Sequence, residues 1–328
     1  MVKIIGRLLS CLAVIVLSSV ASRASDSDHA QPSADNPSNS SVLIVEYGNS
    51  VISQTFATRL TKSIALPSQR YQVTRTTLDN SQLTLKAPLA IAVGKEALVF
   101  LLNSNYRGSV LATLLSASEY QKITKENPNP DIRLSGVFHQ APLSRQILLF
   151  KEFYPSGKRI GILLTPNEEH LIKDIKDFTI KLNLILEYEI VRDEAELTLN
   201  LIKLIKRSDA IIATKNESIY NRSTIKTILL TLYRHNKFLI GADKSFVRAG
   251  SVATTYTSMQ NLLDEVTGDI ARFFENKQLP NTHYSDQFSV EFNEQVARSL
   301  NLNIRDNSHY VDVIQASEIN LGDGKFYE

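Results

Sequence analysis

Lys237-Phe238-Leu239-Ile240-Gly241-Ala242-Asp243 opens the stretch that decides the fold. Val247-Arg248-Ala249-Gly250-Ser251-Val252-Ala253-Thr254-Thr255-Tyr256 follows, and then an amphipathic run ends near Lys277-Gln278-Leu279-Pro280. The order is strand, short helix closed by a glycine, strand, loop with an aromatic residue, long helix. In a two-lobed α/β molecule this order returns the chain from the second lobe to the first.

Working backward from this stretch, short β-branched runs alternate with helical patterns from Val42 onward. Strands are expected at 42–45, 71–74, 89–93, 110–114, 134–138, 160–164, 186–191, 210–213 and 238–240. Helical stretches fall at 96–102, 142–154, 168–182, 196–205 and 225–235, with another running toward Leu66. Apolar strands alternating with helices of this length indicate βαβ units around buried parallel sheets. Two smaller sheets fit this series better than one large one. Gly136-Val137-Phe138-His139-Gln140 is the expected crossing between them, because a new βαβ series starts after it. A strand that crosses between lobes can flex with few broken contacts, as a hinge requires. Tyr310-Val311-Asp312-Val313-Ile314 alternates loosely and reads as an edge strand.

The amino terminus has the pattern of a secretory signal. Lys3 and Arg7 form a basic start, Leu8 to Val20 is mostly apolar, and Ser22-Arg23-Ala24 places cleavage before Ser25. That apolar run of about 13 residues falls short of the about 20 needed to span a bilayer. Residues 25–41, rich in Ser, Asp, Asn and Pro, read as a disordered tether. Cys11, the chain's single cysteine, lies within the signal, so the mature chain has neither disulfide nor thiol nucleophile. Cleavage removes Lys3, Arg7 and Arg23 and no acidic residue, which turns the formal charge of +2 into −1. A near-neutral mature surface argues against nucleic acid as a partner, since phosphate binding depends on clustered Lys and Arg.

Ligands of open parallel sheets bind at the carboxyl ends of the strands. The loops directly after the apolar runs offer hydroxyl, amide and small residues, with Tyr47 and Tyr256 as the aromatics. Tyr47, Asn49, Ser116, Ser118, Thr165, Thr214, Asp243 and Tyr256 are the candidate ligand-binding residues. The set suits a small polar solute, with helix amino termini available for a carboxylate. Each of these residues also has a simpler reading as the cap of the helix that follows.

No enzyme signature is present. Gly241-Ala242-Asp243-Lys244 lacks phosphate-loop spacing, and no dinucleotide fingerprint or nucleophile elbow occurs. His29, His139, His170, His235, His283 and His309 form no H-E-x-x-H pair. Glu168-Glu169 opens a helix, where acids complement the dipole. No catalytic residue, cofactor or metal site is expected.

Three stretches resemble the ABC transporter substrate-binding protein family of the type I periplasmic-binding fold. They are Gly136-Val137 with Gln146 to Pro155 and Lys158 to Leu163, then Phe246 to Ala253, and then Phe288 to Asn293 with Val296 to Leu302. The likeness runs from about Leu134 to Ile304 and more faintly from Val42. It implies an α/β chain of two Rossmann-like lobes with parallel sheets, joined by a strand hinge. The first lobe would hold residues 42–138 plus 256–284, the second 139–255 plus 285–304, and residues 305–328 would form a tail. It further implies a monomer in the periplasm that binds a small organic ligand, such as an amino acid, and presents it to the permease of an ABC transporter. The chain departs from the family at Thr257, Asp264, Lys277 and Asn301, where members have glycine. These departures leave a periplasmic sensory or scaffold protein that signals to a membrane receptor as the alternative.

Overall fold

The computed structural model of the protein describes residues 41–65, 71–78 and 86–321. The expected signal and all but the last residue of the expected tether lie outside them, as do Cys11 and His29.

The chain builds two six-stranded sheets. The first is ordered β11-β5-β4-β3-β1-β2 and parallel throughout. Its strands are β1 (Ser41–Glu46), β2 (Gln72–Thr77), β3 (Leu89–Val93), β4 (Ser109–Leu115), β5 (Arg133–Phe138) and β11 (His283–Tyr284). The second is ordered β12-β10-β9-β8-β6-β7. Its strands are β6 (Arg159–Leu164), β7 (Ile185–Ile190), β8 (Ala210–Ile212), β9 (Leu239–Ile240), β10 (Ala253–Tyr256) and β12 (Ser289–Phe292), of which only β12 runs antiparallel. In both sheets the second strand lies outside the first and the third on its other side. Each sheet therefore has a topological switch point, between β1 and β3 and between β6 and β8.

Helices cover both faces of each sheet, which explains the unbroken apolar strands. On β1 the pleat sends Val42 and Ile44 to one face and Leu43 and Val45 to the other. The first pair packs with α1 (Val51–Ala65) and α9 (Met259–Asn276) through Phe56, Leu60, Leu263, Val266 and Ile270. The second pair packs with α2 (Lys95–Leu102) and α3 (Ala117–Glu126) through Leu98, Leu101 and Ile123. In the second sheet, α4 (Leu143–Phe153), α5 (Ile172–Lys181), α10 (Glu294–Ser299) and α11 (Asn307–Leu321) close one face around Phe150, Ile160, Ile162 and Tyr310. The other face is closed by α6 (Glu194–Ile205), α7 (Ile225–Arg234) and α8 (Lys244–Ala249) around Leu204, Ile211, Leu232 and Phe246.

The opening stretch folds as β9, α8, β10 and α9. A Cβ at Gly241 would lie 2.2 Å from that of Phe246, so only glycine lets α8 fold back over its own strand. Gly250 ends α8 at φ +123, a conformation other residues rarely adopt. The chain passes between the sheets three times, after β5, after β10 and after β11.

Three expectations are corrected. Residues 310–314 are helical within α11, because Tyr310 and Ile314, one turn apart, are the buried pair. The single helix expected at 168–182 splits into a 3-10 turn (Pro166–Leu171) and α5. A ten-residue helix, α3, starts directly after Ser116, where the pattern of apolar runs indicates only a loop. The departures from glycine also resolve. Lys277 and Asn301 both take the left-handed conformation, at φ 57 and 55, so the chain keeps the backbone that glycine would favour. Thr257 takes no positive φ and Asp264 lies inside α9, so neither position requires glycine.

Candidate functional site

The carboxyl ends of the two sheets face each other across a cleft. Its larger cavity has a volume of about 1530 Å³ and a smaller one of about 300 Å³ adjoins it. The two share His139, Gln140 and Lys215, so they form one continuous site. One wall comes from the start of α3, with Ser118, Gln121 and Lys122. The opposite wall comes from the loops after β6, β7 and β8, with Asn167, Arg192 and Asn216.

A bulge positions the first wall. The β4–β5 register shifts between Thr113 and Leu115, and Leu114 takes φ 57 to accommodate it. Left-handed backbone costs about 1 kcal/mol or more for a side chain like leucine, and such strain concentrates beside functional sites. The bulge re-aims the chain so that Ser116 caps α3. Ser116 Oγ accepts from the Glu119 N–H at 3.1 Å, and Glu119 Oε2 accepts from the Ser116 N–H at 2.9 Å. A second capping box stands across the cleft. Glu168 Oε2 accepts from the Thr165 N–H at 2.8 Å and from Asn216 Nδ2 at 2.7 Å. Ser116 and Thr165 thus line the cleft while their hydroxyls are committed to caps and to the acids that complete them.

The smaller cavity lies against the opening stretch. Asp243 caps α8 through the Ser245 N–H at 2.7 Å and forms an ion pair with Lys215. Burial works to raise the Asp243 pKa, but the bonds from Lys215 and Ser245 prevail and hold it below the usual value. Lys244 sits over the Tyr256 ring at 5.1 Å and pairs with Glu291 at 2.6 Å. Arg248 lines the same cavity and has no ion-pair partner among the described residues. Gln146, 1% exposed, braces the floor: its Nε2 donates to the Thr255 carbonyl at 2.8 Å and its Oε1 accepts the Thr255 N–H at 2.9 Å. This side chain pairs with β10 as a neighbouring strand would.

His139 stands where the chain first leaves the first sheet. Its backbone N–H donates to the Leu115 carbonyl at 3.2 Å, which fixes it beside the bulge. Burial pushes its imidazole pKa below the ordinary histidine value, and the Lys215 charge adds to that effect. The ring is therefore neutral at neutral pH. Its Nδ1 has no hydrogen-bond partner, nor has Thr257 Oγ1, and both residues line the smaller cavity. Polar groups buried without a partner are uncommon.

Of the residues expected from sequence, Ser116, Ser118 and Thr165 line the larger cavity and Asp243 and Tyr256 the smaller. Thr214 is fully buried, its hydroxyl has no hydrogen-bond partner, and it lines neither cavity. Tyr47 and Asn49 line neither cavity, and the Asn49 amide instead donates to the Tyr47 hydroxyl at 3.3 Å. His139, Gln146, Lys215 and Arg248 were not singled out from sequence. Lys215 lies in the loop after an apolar strand, which is a usable signal. Nothing local marks the partnership of Gln146 with a strand 109 residues away.

Residues 111–308 match the family described as "ABC transporter substrate binding protein". Among solved structures, the chain is similar to a ligand-free, open substrate binding protein with adhesive properties from Clostridium difficile. That likeness has a TM-score of 0.58 at 14% identity and covers 82% of this chain and 97% of that one. An ABC domain in complex with L-Trp from Streptococcus pneumonia gives 0.49 at 14%, covering 82% and 96%. A conserved domain protein from Vibrio cholerae also gives 0.49 at 14%, covering 85% and 98%. No curated protein matches the chain. Among the described residues, no helix is long and apolar enough to cross a membrane.

Proposed function

The chain belongs to the ABC transporter substrate-binding protein family, whose members typically bind without catalysing, and from that premise we propose that its interlobe cleft closes on a small organic solute. The lobes are taken as residues 42–138 plus 256–284 and residues 139–255 plus 285–304. The protein is proposed to act as a monomer after export to the periplasm, consistent with the signal-like residues 1–24. Binding would shift an open–closed equilibrium, and the closed form would dock on the permease of the transporter.

The observation that carries this reading is the cleft itself. It lies at the carboxyl ends of the parallel strands of the two sheets and is bordered by chain segments that pass between them. The smaller cavity supports the solute class. Arg248 and Lys215 suit a carboxylate, Asp243 an ammonium group, and Tyr256 an apolar side chain. Amino acids and related zwitterions carry all three features. His139, Gln140, Lys215, Asp243, Arg248 and Tyr256 are therefore the proposed contacts, with Ser118 and Asn216 at the mouth of the larger cavity. Tyr47, Asn49 and Thr214 would act only if the cleft rearranges on closing. No catalytic role is assigned.

A sensory role for the same fold drew its support from the missing glycines. Lys277 and Asn301 keep the left-handed backbone, whereas Thr257, which lines the smaller cavity, keeps its departure from the family's glycine and is what favours the sensory reading.

The test is a thermal-shift screen against amino acids, small acids and nucleosides. A ligand at 100 times its Kd adds about 2.7 kcal/mol of stability. With an unfolding entropy of about 0.6 kcal/mol/K for a chain of this size, the midpoint rises by about 4 °C. Arg248→Ala and Lys215→Ala should each weaken the response to the active compound. A broad library that leaves the midpoint unmoved would refute the reading.

A further inference from the structure

Away from the cleft, the face of α9 turned toward β11 carries a second polar cluster. Glu265 and Asp269 stand one helical turn apart, and His283 opens β11 beside them. One ligand atom from each of the three lies within 4.8 Å of the others. His283 Nε2 is 3.4 Å from Glu265 Oε1 and 3.6 Å from Asp269 Oδ2.

The hydrogen bond on the far side of the ring fixes what Nε2 must be. Nδ1 lies 2.8 Å from the carbonyl oxygen of Asn281, which can only accept, so Nδ1 carries the proton. Nε2 then faces two carboxylates, as a lone pair in the neutral ring and as a second N–H when they hold a proton on it. Two carboxylates and one ring nitrogen converge on one point, and a positive charge there, a proton on Nε2 or a metal ion in its place, relieves the repulsion. A proton on Nε2 would draw a carboxylate to about 2.8 Å. A tetrahedral ion with bonds of about 2.0–2.1 Å instead holds its ligand atoms about 3.3 Å apart. The 3.4 and 3.6 Å separations from Nε2 leave room for such an ion.

Asp269 supplies an independent sign. It is 0% exposed, and neither of its carboxylate oxygens accepts a hydrogen bond. Its one close cation, besides the histidine, is Arg272 Nη2, 2.9 Å from Oδ1 and also 3.1 Å from Glu265 Oε1. The Arg272 side chain is 48% exposed, so the guanidinium reaches in from solvent and can withdraw. Asp286 adds a third carboxylate whose charge reaches the cluster. Glu265 and Asp269 share this one arginine, which leaves room for further positive charge.

We propose that Glu265, Asp269 and His283 form a binding site for a divalent transition-metal ion of the Zn²⁺ class. Two carboxylates and one imidazole suit that class, and the Asn281 carbonyl acts as the outer partner that orients the ring. The site has a structural consequence. Glu265 Oε2 accepts the Asp286 N–H at 3.0 Å, so an ion held by Glu265 also pins the chain where it leaves β11 for the second sheet.

The experiment is a Zn²⁺ titration of the full chain against a chromophoric chelator, repeated with Co²⁺ to read its visible absorption. The expected result is one ion per chain with the intense absorption of a tetrahedral Co²⁺ site. Loss of an outer partner weakens such sites by about 10–100-fold, so loss of a ligand in His283→Gln should cost about 100-fold or more. Asp269→Asn, which preserves shape, should lose the ion to a similar degree and decides the matter if His283→Gln fails to fold. Arg272→Gln should bind at least as tightly as the parent, because a competing cation is gone. The proposal is overturned if the parent takes up no Zn²⁺ at micromolar concentrations, or if Asp269→Asn binds as the parent does.

Discussion

Arg145→Met removes the largest fully buried charged side chain, and its cost can be worked from the contacts it makes. Arg145 is 0% exposed on α4. Its Nε and Nη2 reach the two carboxylate oxygens of Glu318 on α11 at 2.9 and 3.0 Å. Nη1 and Nη2 also donate to the Ser285 carbonyl at 3.2 and 3.3 Å, and the guanidinium lies 4.0 Å over the Phe288 ring. One side chain thus ties the carboxy-terminal helix to the third passage between the sheets. Methionine keeps most of the volume but deletes the fork.

Breaking a fully buried ion pair costs about 3–5 kcal/mol. Glu318 retains 13% exposure and can turn toward water, which places the ion-pair part at the lower end. The orphaned Ser285 carbonyl adds about 1–3 kcal/mol. A total of about 4 kcal/mol lowers the midpoint by about 7 °C at an unfolding entropy of about 0.6 kcal/mol/K. Glu318→Gln should cost as much although its side chain is nearer the surface, because it strands Arg145 as a buried charge. The double variant Arg145→Met/Glu318→Gln should be no worse than Glu318→Gln alone. Calorimetry on the four proteins measures this cycle. Additive losses, with a coupling energy below about 0.5 kcal/mol, would refute the argument that the two groups act as one unit.

Other expectations follow from the cleft. Gln146→Leu leaves the buried Thr255 N–H unpaired, while the Thr255 carbonyl keeps the Thr254 hydroxyl at 3.0 Å, and should cost about 1–3 kcal/mol in denaturant unfolding. Ser116→Ala should lose about 1 kcal/mol as a cap while leaving solute affinity within about twofold; a larger loss of affinity would make its hydroxyl a contact. His139 should titrate below the usual 6.5 by imidazole NMR, because burial disfavours its charged form. The unfolded chain then binds the proton more readily, so stability falls as pH drops from 6.5 toward the folded value. His139→Gln should flatten that part of the stability profile, and an unchanged slope would contradict the assignment.

The alternation of apolar runs with helices was legible because both faces of each strand are covered, as the split of Val42 and Ile44 from Leu43 and Val45 illustrates. Elements that depend on distant partners were not. β11 has only two residues, and it exists because His283 and Tyr284 pair with Val137 and Phe138. Residues 310–314 carry apolar side chains at both strand and helix spacings, and packing of Tyr310 and Ile314 onto the second sheet selects the helix. The site shows the same limit. Loops after strands could be located from sequence, so Asp243 and Tyr256 were flagged. The Lys215–Asp243 pair and the Glu265–Asp269–His283 cluster could not, since each joins residues on separate elements. The glycine departures show the reverse case. Lys277 and Asn301 looked like lost function but are tolerated left-handed caps.

Closure of the two lobes on a solute is the central claim, and a distance across the cleft measures it. Lys122 on α3 and Arg192 after β7 line the larger cavity from opposite walls. Cys11 is the chain's only cysteine, so Cys11→Ser with Lys122→Cys and Arg192→Cys gives two unique labelling points. Spin-label distances would be recorded with and without the compound that raises the melting midpoint. The account predicts that the distribution shifts to shorter separations on saturation and that Arg248→Ala requires more compound for the same shift. A compound that binds tightly while the distribution stays unchanged would contradict it.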